Sequence, residues 1–140
     1  MNNDQTMKDI LLSAKTIASV GLSSNQEKES YWIASYLKEQ GYHLIPVNPT
    51  ADEILGEKAY PDLESIPEQI DVVQVFRRSE DVPPVVDSAI KSGAKVVWMQ
   101  AGIVNEEAAQ KAREAGLEVV MDACMRMTHQ RLIGPRLMRL

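Results

Sequence analysis

Four short segments of this sequence carry side chains suited to holding a phosphorylated ligand. Arg77-Arg78 sets two guanidiniums side by side, and guanidiniums meet phosphate oxygens through paired hydrogen bonds. The competing reading is that one or both pair with the nearby Glu80 or Asp81 on the surface. Gly21-Leu22-Ser23-Ser24-Asn25 joins a glycine that permits a tight turn to hydroxyls and backbone N–H groups that suit a pyrophosphate at a helix start. The same residues also suit a plain strand-to-helix turn with capping serines. Asn48-Pro49-Thr50 stands where an NAD-binding domain would carry Asp or Glu for the ribose, so ordinary NAD recognition is disfavoured. Asn-Pro reads equally as a turn. Gln100-Ala101-Gly102-Ile103 offers one amide and a glycine that allows close approach of the backbone.

The segments contain no paired acid and base, so binding is expected without catalysis. Only Asp122, Cys124 and His129 could be recruited to chemistry. His43 and His129 are far apart and lack a flanking carboxylate pattern, which disfavours a metal site. Cys124 reads as a small buried hydrophobe, with a thiol that pairs with a ligand thiol as the alternative. Met121, Met125 and Met127 read as gap-filling core, and Trp32 and Trp98 as packing between sheet and helices. A ligand contact is the alternative for Trp98.

The elements that must position these segments alternate between helix and strand. Met7, Ile10, Leu11 and Ala14 have helical spacing, and Thr16–Val20 is a β-branched apolar run ending at Gly21. A helix is expected over about 30–40, then a strand at His43–Val47 whose Pro46 removes one ladder donor. Residues 48–70 are the least regular, with a short edge strand at Lys58–Tyr60 and one helical turn from Asp62 as the expectations. A strand at Asp71–Phe76 leads to a helix carrying Val82, Val85, Val86, Ala89 and Ile90, capped by Asp81 with Pro83 and Pro84 in its first turn. A strand at Lys95–Met99, a helix capped by Asn105, a strand at Glu118–Met121 and a basic helical tail complete the chain. The tail's Arg126, Arg131, Arg136 and Arg139 read as a solvated face, with an oligomer or phosphate contact as the alternative. Continuous apolar strands alternating with helices predict a single doubly wound α/β domain with a mainly parallel sheet of about five strands. Ligands of such sheets sit beyond the carboxyl ends of the strands, where the four segments fall.

The 140 residues have the usual size of one domain, expected here over 1–140. A net charge of −5 disfavours nucleic acid as a partner. No apolar run approaches the length of a membrane span, and Met1–Gln5 lacks the features of a secretory signal. One cysteine cannot form an internal disulfide. A cytoplasmic protein is expected.

The chain resembles the small stand-alone coenzyme A-binding proteins, whose Rossmann domain is also the N-terminal domain of the succinate–CoA ligase alpha subunit. The resemblance runs from about Ile17 to Cys124. It rests on Val20-Gly21-Leu22-Ser23, Pro46-Val47-Asn48-Pro49, Val75-Phe76-Arg77-Arg78, Val97-Trp98-Met99-Gln100, Gly102-Ile103 and Val119-Val120-Met121-Asp122, in that order and spacing. It implies a Rossmann-like domain and a CoA site over the first loop, lined by Asn48-Pro49, Phe76-Arg77 and Gln100 to Ile103. With the residue reading, the expected contacts are Gly21, Leu22, Ser23, Ser24, Asn25, Asn48, Pro49, Phe76, Arg77, Arg78, Gln100, Gly102 and Ile103. The expected ligand is CoA or a short acyl-CoA, bound without catalysis. A sensor or partner-binding domain, or an enzyme acting on a nucleotide or acyl thioester, are the alternatives. One departure stands out: resembling members often read Asp-Arg-Cys where this chain has Asp122-Ala123-Cys124. If that arginine meets a phosphate in them, this chain lacks one contact.

Overall fold

The computed structural model describes residues 2–135; Arg136 and Arg139 of the tail lie outside the described residues. Among these residues, five helices are arranged about a five-stranded, all-parallel sheet. In chain order the elements are α1 (Asp4–Ser13), β1 (Thr16–Val20), α2 (Glu29–Glu39), β2 (His43–Val47), β3 (Glu53–Ile54), β4 (Glu57–Lys58), β5 (Val72–Val75), α3 (Val82–Lys91), β6 (Val96–Met99), α4 (Glu106–Glu114), β7 (Glu118–Val120) and α5 (Met125–Leu132). The sheet order is β2-β1-β5-β6-β7, so the chain winds outward first to one side of β1 and then to the other. The switch point lies between β1 and β5, where Val20 is in register with Val75. Pro46 falls on β2, the edge strand, where a missing N–H costs the ladder least.

The apolar strands divide their side chains between two cores. Ala18, Val20, Val73, Val75, Val97 and Met99 face α3 and α4. Ile17, Leu44, Val72, Val96 and Trp98 face α1, α2 and α5. Helices therefore cover both faces, which is why the strands read as unbroken apolar runs. Asp71 fastens the opposite edge of the sheet: its Oδ2 accepts from the N–H groups of Lys15 (2.8 Å) and Thr16 (3.0 Å). The start of the described segment is also tied to its last strand and helix. The Asn2 side chain exchanges two hydrogen bonds with the backbone of Met121, at 2.6 and 3.1 Å. Arg131 holds Asp4 through two N–H donors at 3.0 Å. No helix among the described residues is long and apolar enough to cross a membrane.

Several local expectations are corrected. Residues 53–58 form a two-stranded antiparallel ribbon, and Tyr60 makes only an isolated parallel bridge to Val47. Asp62 forms a turn, its Oδ1 accepting from Ser65 N–H and Oγ, in place of a helical one. Asp81 precedes α3 but does not cap it by hydrogen bond, because its carboxylate turns back to Arg78 at 3.1 Å. Trp32 is 51% exposed on the solvent side of α2, its indole N–H donating to Gln26 O. Trp98 is fully buried and donates to Ala123 O, which leaves it no ligand surface. Met125 fills the core as expected, whereas Met127 is 62% exposed.

Candidate functional site

The first loop is shaped by contact with its neighbours. Gly21 N–H donates to Val47 O (3.1 Å) and Phe76 N–H to Val20 O (2.9 Å), which draws the ends of β1, β2 and β5 together. Gly21 has φ of 88°, and a Cβ there would lie 2.8 Å from Phe76 O. Only glycine lets the backbones pass this closely. Beyond it, Ser23 N–H donates to Ser30 Oγ (3.2 Å), and Ser23 Oγ accepts from Asn25 N–H (3.0 Å). Asn25 Oδ1 accepts from Glu27 N–H (2.9 Å), so these polar groups fold the loop back over the start of α2. No side chain caps that helix start; Tyr31 N–H donates to Lys28 O (3.2 Å), and the positive dipole end of α2 is left facing the loop, beside Glu29.

A cavity of about 470 Å³ opens against this loop. Gly21, Ser23, Lys28, Glu29, Ser30 and Ile33 form one side; Phe76, Arg77, Arg78, Gln100, Ala101, Ile103 and Cys124 form the rest. Of the thirteen residues expected from the sequence, the structure brings Gly21, Ser23, Phe76, Arg77, Arg78, Gln100 and Ile103 to this cavity. The others lie around it. Leu22 is fully buried in the core and contributes only its carbonyl, which accepts from Asn48 Nδ2 at 3.0 Å. Asn48 also accepts from Thr50 N–H and Oγ, so it works as a brace between the first two loops. Ser24, Asn25 and Pro49 are exposed outside the cavity wall. Gly102 is exposed too, its N–H donating to Asp122 Oδ1 (2.6 Å).

The two arginines have different circumstances. Arg78 is exposed and pairs with Glu80 (3.2 Å) and Asp81 (3.1 Å), the surface alternative for this residue. Arg77 is half-buried and has no ion pair or hydrogen bond with any described residue. It also borders a second recess, of about 390 Å³, on the far side of the switch point. Val20, Val47, Leu63, Pro84 and Val85 give that recess an apolar wall, and Asp62, Asp81 and Ser88 border it. Arg77 thus stands between two hollows, an unpaired cation at the carboxyl end of β5.

Sequence reasoning missed Lys28 and Ser30, which look like ordinary polar residues until α2 starts beside Gly21. It also missed a buried polar thread. Ser19 Oγ donates to Gln74 Oε1 (2.9 Å), and Gln74 Nε2 donates to Gln100 Oε1 (3.1 Å). Ser19 and Gln74 are fully buried. Their signal was present: each is a polar residue inside a buried strand run, and the two lie in register across β1 and β5.

This is a doubly wound, Rossmann-like α/β domain whose concave, partly cationic site lies at the switch point. Residues 15–130 match the CoA binding domain family, and the chain belongs to that family. An uncharacterized protein, YneT, from Bacillus subtilis (strain 168) is 46% identical over 123 residues, covering 88% of this chain and 91% of its own. The acetate–CoA ligase (ADP-forming) II subunit alpha of Pyrococcus furiosus is 29% identical over 132 residues. That match takes in 91% of this chain but only 29% of the ligase subunit. Among solved structures, a hypothetical protein from Pyrococcus horikoshii OT3 superposes with a TM-score of 0.92 at 44% identity, covering 95% of this chain and 94% of that one.

Proposed function

We propose that residues 1–140 act as one domain that binds coenzyme A or a short acyl-CoA without catalysing a reaction on it. The observation that carries this reading is Arg77, unpaired and half-buried between the two hollows. The adenosine goes to the apolar recess of Val20, Val47, Leu63 and Val85. The pyrophosphate crosses Gly21 to the uncapped start of α2, with Arg77 and Lys28 beside it. The pantetheine arm then runs along the cavity beside the first loop toward Gln100 and Cys124. Ser23 and Ser30 shape the phosphate end, and Asn48 holds the loop that forms it. Family membership supports the choice of ligand class.

The test is calorimetric titration of the full chain with CoA, using NAD as the control ligand. Arg77→Ala is expected to weaken CoA about tenfold, the value of one charge-assisted phosphate contact in a partly wet site. Arg78→Ala, whose guanidinium borders the cavity but is held by Glu80 and Asp81, is expected to change affinity by less than about threefold. Unaltered CoA affinity in Arg77→Ala would remove the phosphate assignment.

A further inference from the structure

Gln100 is only 4% exposed, and its amide cannot be turned over. Its Oε1 accepts from the backbone N–H of Met125 at 3.0 Å, and a backbone N–H can only donate. That bond fixes the whole thread: Gln74 must offer Nε2 to the same oxygen, and Ser19 must donate to Gln74 Oε1. Gln100 Nε2 is left with no partner among the described residues, on a side chain that lines the cavity beside the first loop. Among the described residues no buried side-chain polar atom is orphaned, so this donor opens on the cavity, held in one orientation where an acceptor oxygen of a ligand can take the place of solvent.

The same corner opens into another hollow. A groove of about 510 Å³ shares Ala101 and Cys124 with the cavity beside the first loop and continues past Met127 and Thr128. Arg131 at its rim is drawn off to Asp4, so it does not fill the groove. The exposed Met127 lies where a chain leaving the cavity would pass. Met side chains adapt to apolar ligands of varied shape.

We infer that the form of ligand this protein selects is an acyl-CoA thioester, its carbonyl oxygen accepting from Gln100 Nε2 and its acyl chain lying over Ala101 and Cys124 toward Met127. This rests on the CoA reading above and adds the acyl group to it. A saturated acyl chain of medium length suits the side of the groove formed by Ala101, Cys124 and Met127, which offers methyl, thiol and thioether groups, while Thr128, Gln130 and Arg131 form its polar margin. Free CoA leaves both the amide donor and the groove unused.

Calorimetry with CoA, acetyl-CoA, hexanoyl-CoA and S-hexyl-CoA (a thioether lacking the carbonyl oxygen) separates the two contacts. Hexanoyl-CoA is expected to bind about tenfold tighter than acetyl-CoA, from partial burial of the added methylenes. It is expected to bind about fivefold tighter than S-hexyl-CoA, from the carbonyl hydrogen bond. Gln100→Glu keeps an oxygen for Met125 and Gln74 but loses the donor, and is expected to abolish the second difference. Met127→Asp, at an exposed position that does not endanger folding, is expected to bring the hexanoyl-to-acetyl ratio close to one. Equal affinity of wild-type protein for CoA and hexanoyl-CoA overturns the inference and leaves the CoA reading standing. Binding of none of the four ligands fails the CoA reading itself. If Met127→Asp keeps the chain-length ratio but lowers the solution mass from a dimer to a monomer, the groove belongs to a second copy and the inference is overturned.

Discussion

Replacing Gly21 with alanine tests whether the switch point is as tightly drawn as its geometry states. Two costs add. A residue with a Cβ at φ of 88° carries about 1–2 kcal/mol of backbone strain. The new Cβ would also stand 2.8 Å from Phe76 O and 3.2 Å from Phe76 C. That carbonyl cannot simply retreat, because Phe76 N–H is bonded to Val20 O at 2.9 Å and the two loops would have to part. Overpacking against backbone costs about 1–3 kcal/mol. The stiffer unfolded chain returns about 0.4–1 kcal/mol. The net expectation is about 1–4.5 kcal/mol, a large fraction of the roughly 5–15 kcal/mol that holds a domain together. Urea unfolding should show the midpoint falling by about 0.5–2 M with an unchanged slope. Gly93→Ala is the internal control: φ there is 73°, yet nothing lies within 4 Å of the new Cβ, so only the backbone cost of about 1–2 kcal/mol applies. If Gly21→Ala is no less stable than Gly93→Ala, the close passage of the two loops is not what glycine provides at this position.

Two further substitutions probe the framework. Asn48→Asp keeps the acceptor for Thr50 but loses the donor to Leu22 O, so it should destabilise by about 1–3 kcal/mol in urea unfolding and weaken CoA in parallel; full stability would show that the brace is ornamental. Asp71 titrates below the usual carboxylate range: burial opposes its charge, but the N–H groups of Lys15 and Thr16 and the ammonium of Lys95 outweigh it. Because the folded state holds the lower pKa, its contribution is present near neutrality and is lost as pH falls through the acid end of that range. Asp71→Asn should therefore lower stability at about pH 7 and narrow the difference between about pH 7 and pH 3; an unchanged difference would refute the assignment.

The sheet was legible because burial on both faces leaves an unmistakable trace. Runs such as Ile17-Ala18 and Val96-Val97-Trp98-Met99 have no polar alternation, and the observed strands fall within about one residue of the expectation. Proline and asparagine marked α3 and α4 for similar local reasons: Pro83 sits in a first turn that needs no N–H, and Asn105 accepts from Ala108 N–H at 2.9 Å. Residues 48–70 were not legible, since their order comes from long-range bonds such as Asn48 N–H to Tyr60 O. At the site, strand-end position picked out Gly21, Arg77 and Gln100, which depend on the fold's topology. It could not separate Arg77 from Arg78, because which of two adjacent guanidiniums meets Asp81 is decided by the turn at 79–81. Lys28 and Ser30 escaped for a related reason: their role depends on the angle at which α2 leaves the loop. Trp32 was misjudged because size alone suggested burial, whereas its N–H finds Gln26 O at the surface.

The ties between the start of the described segment and its last strand and helix give it the character of a fastened belt. Asn2 is buckled to Met121 and Asp4 to Arg131, which couples the start of α1 to α5. In amide hydrogen exchange they should open as one cooperative unit. That unit includes the segment on which Cys124 stands, and Cys124 is a wall of the cavity. Clipping the first few residues, far from Gly21 in the chain, would slacken the pocket by unfastening its rim.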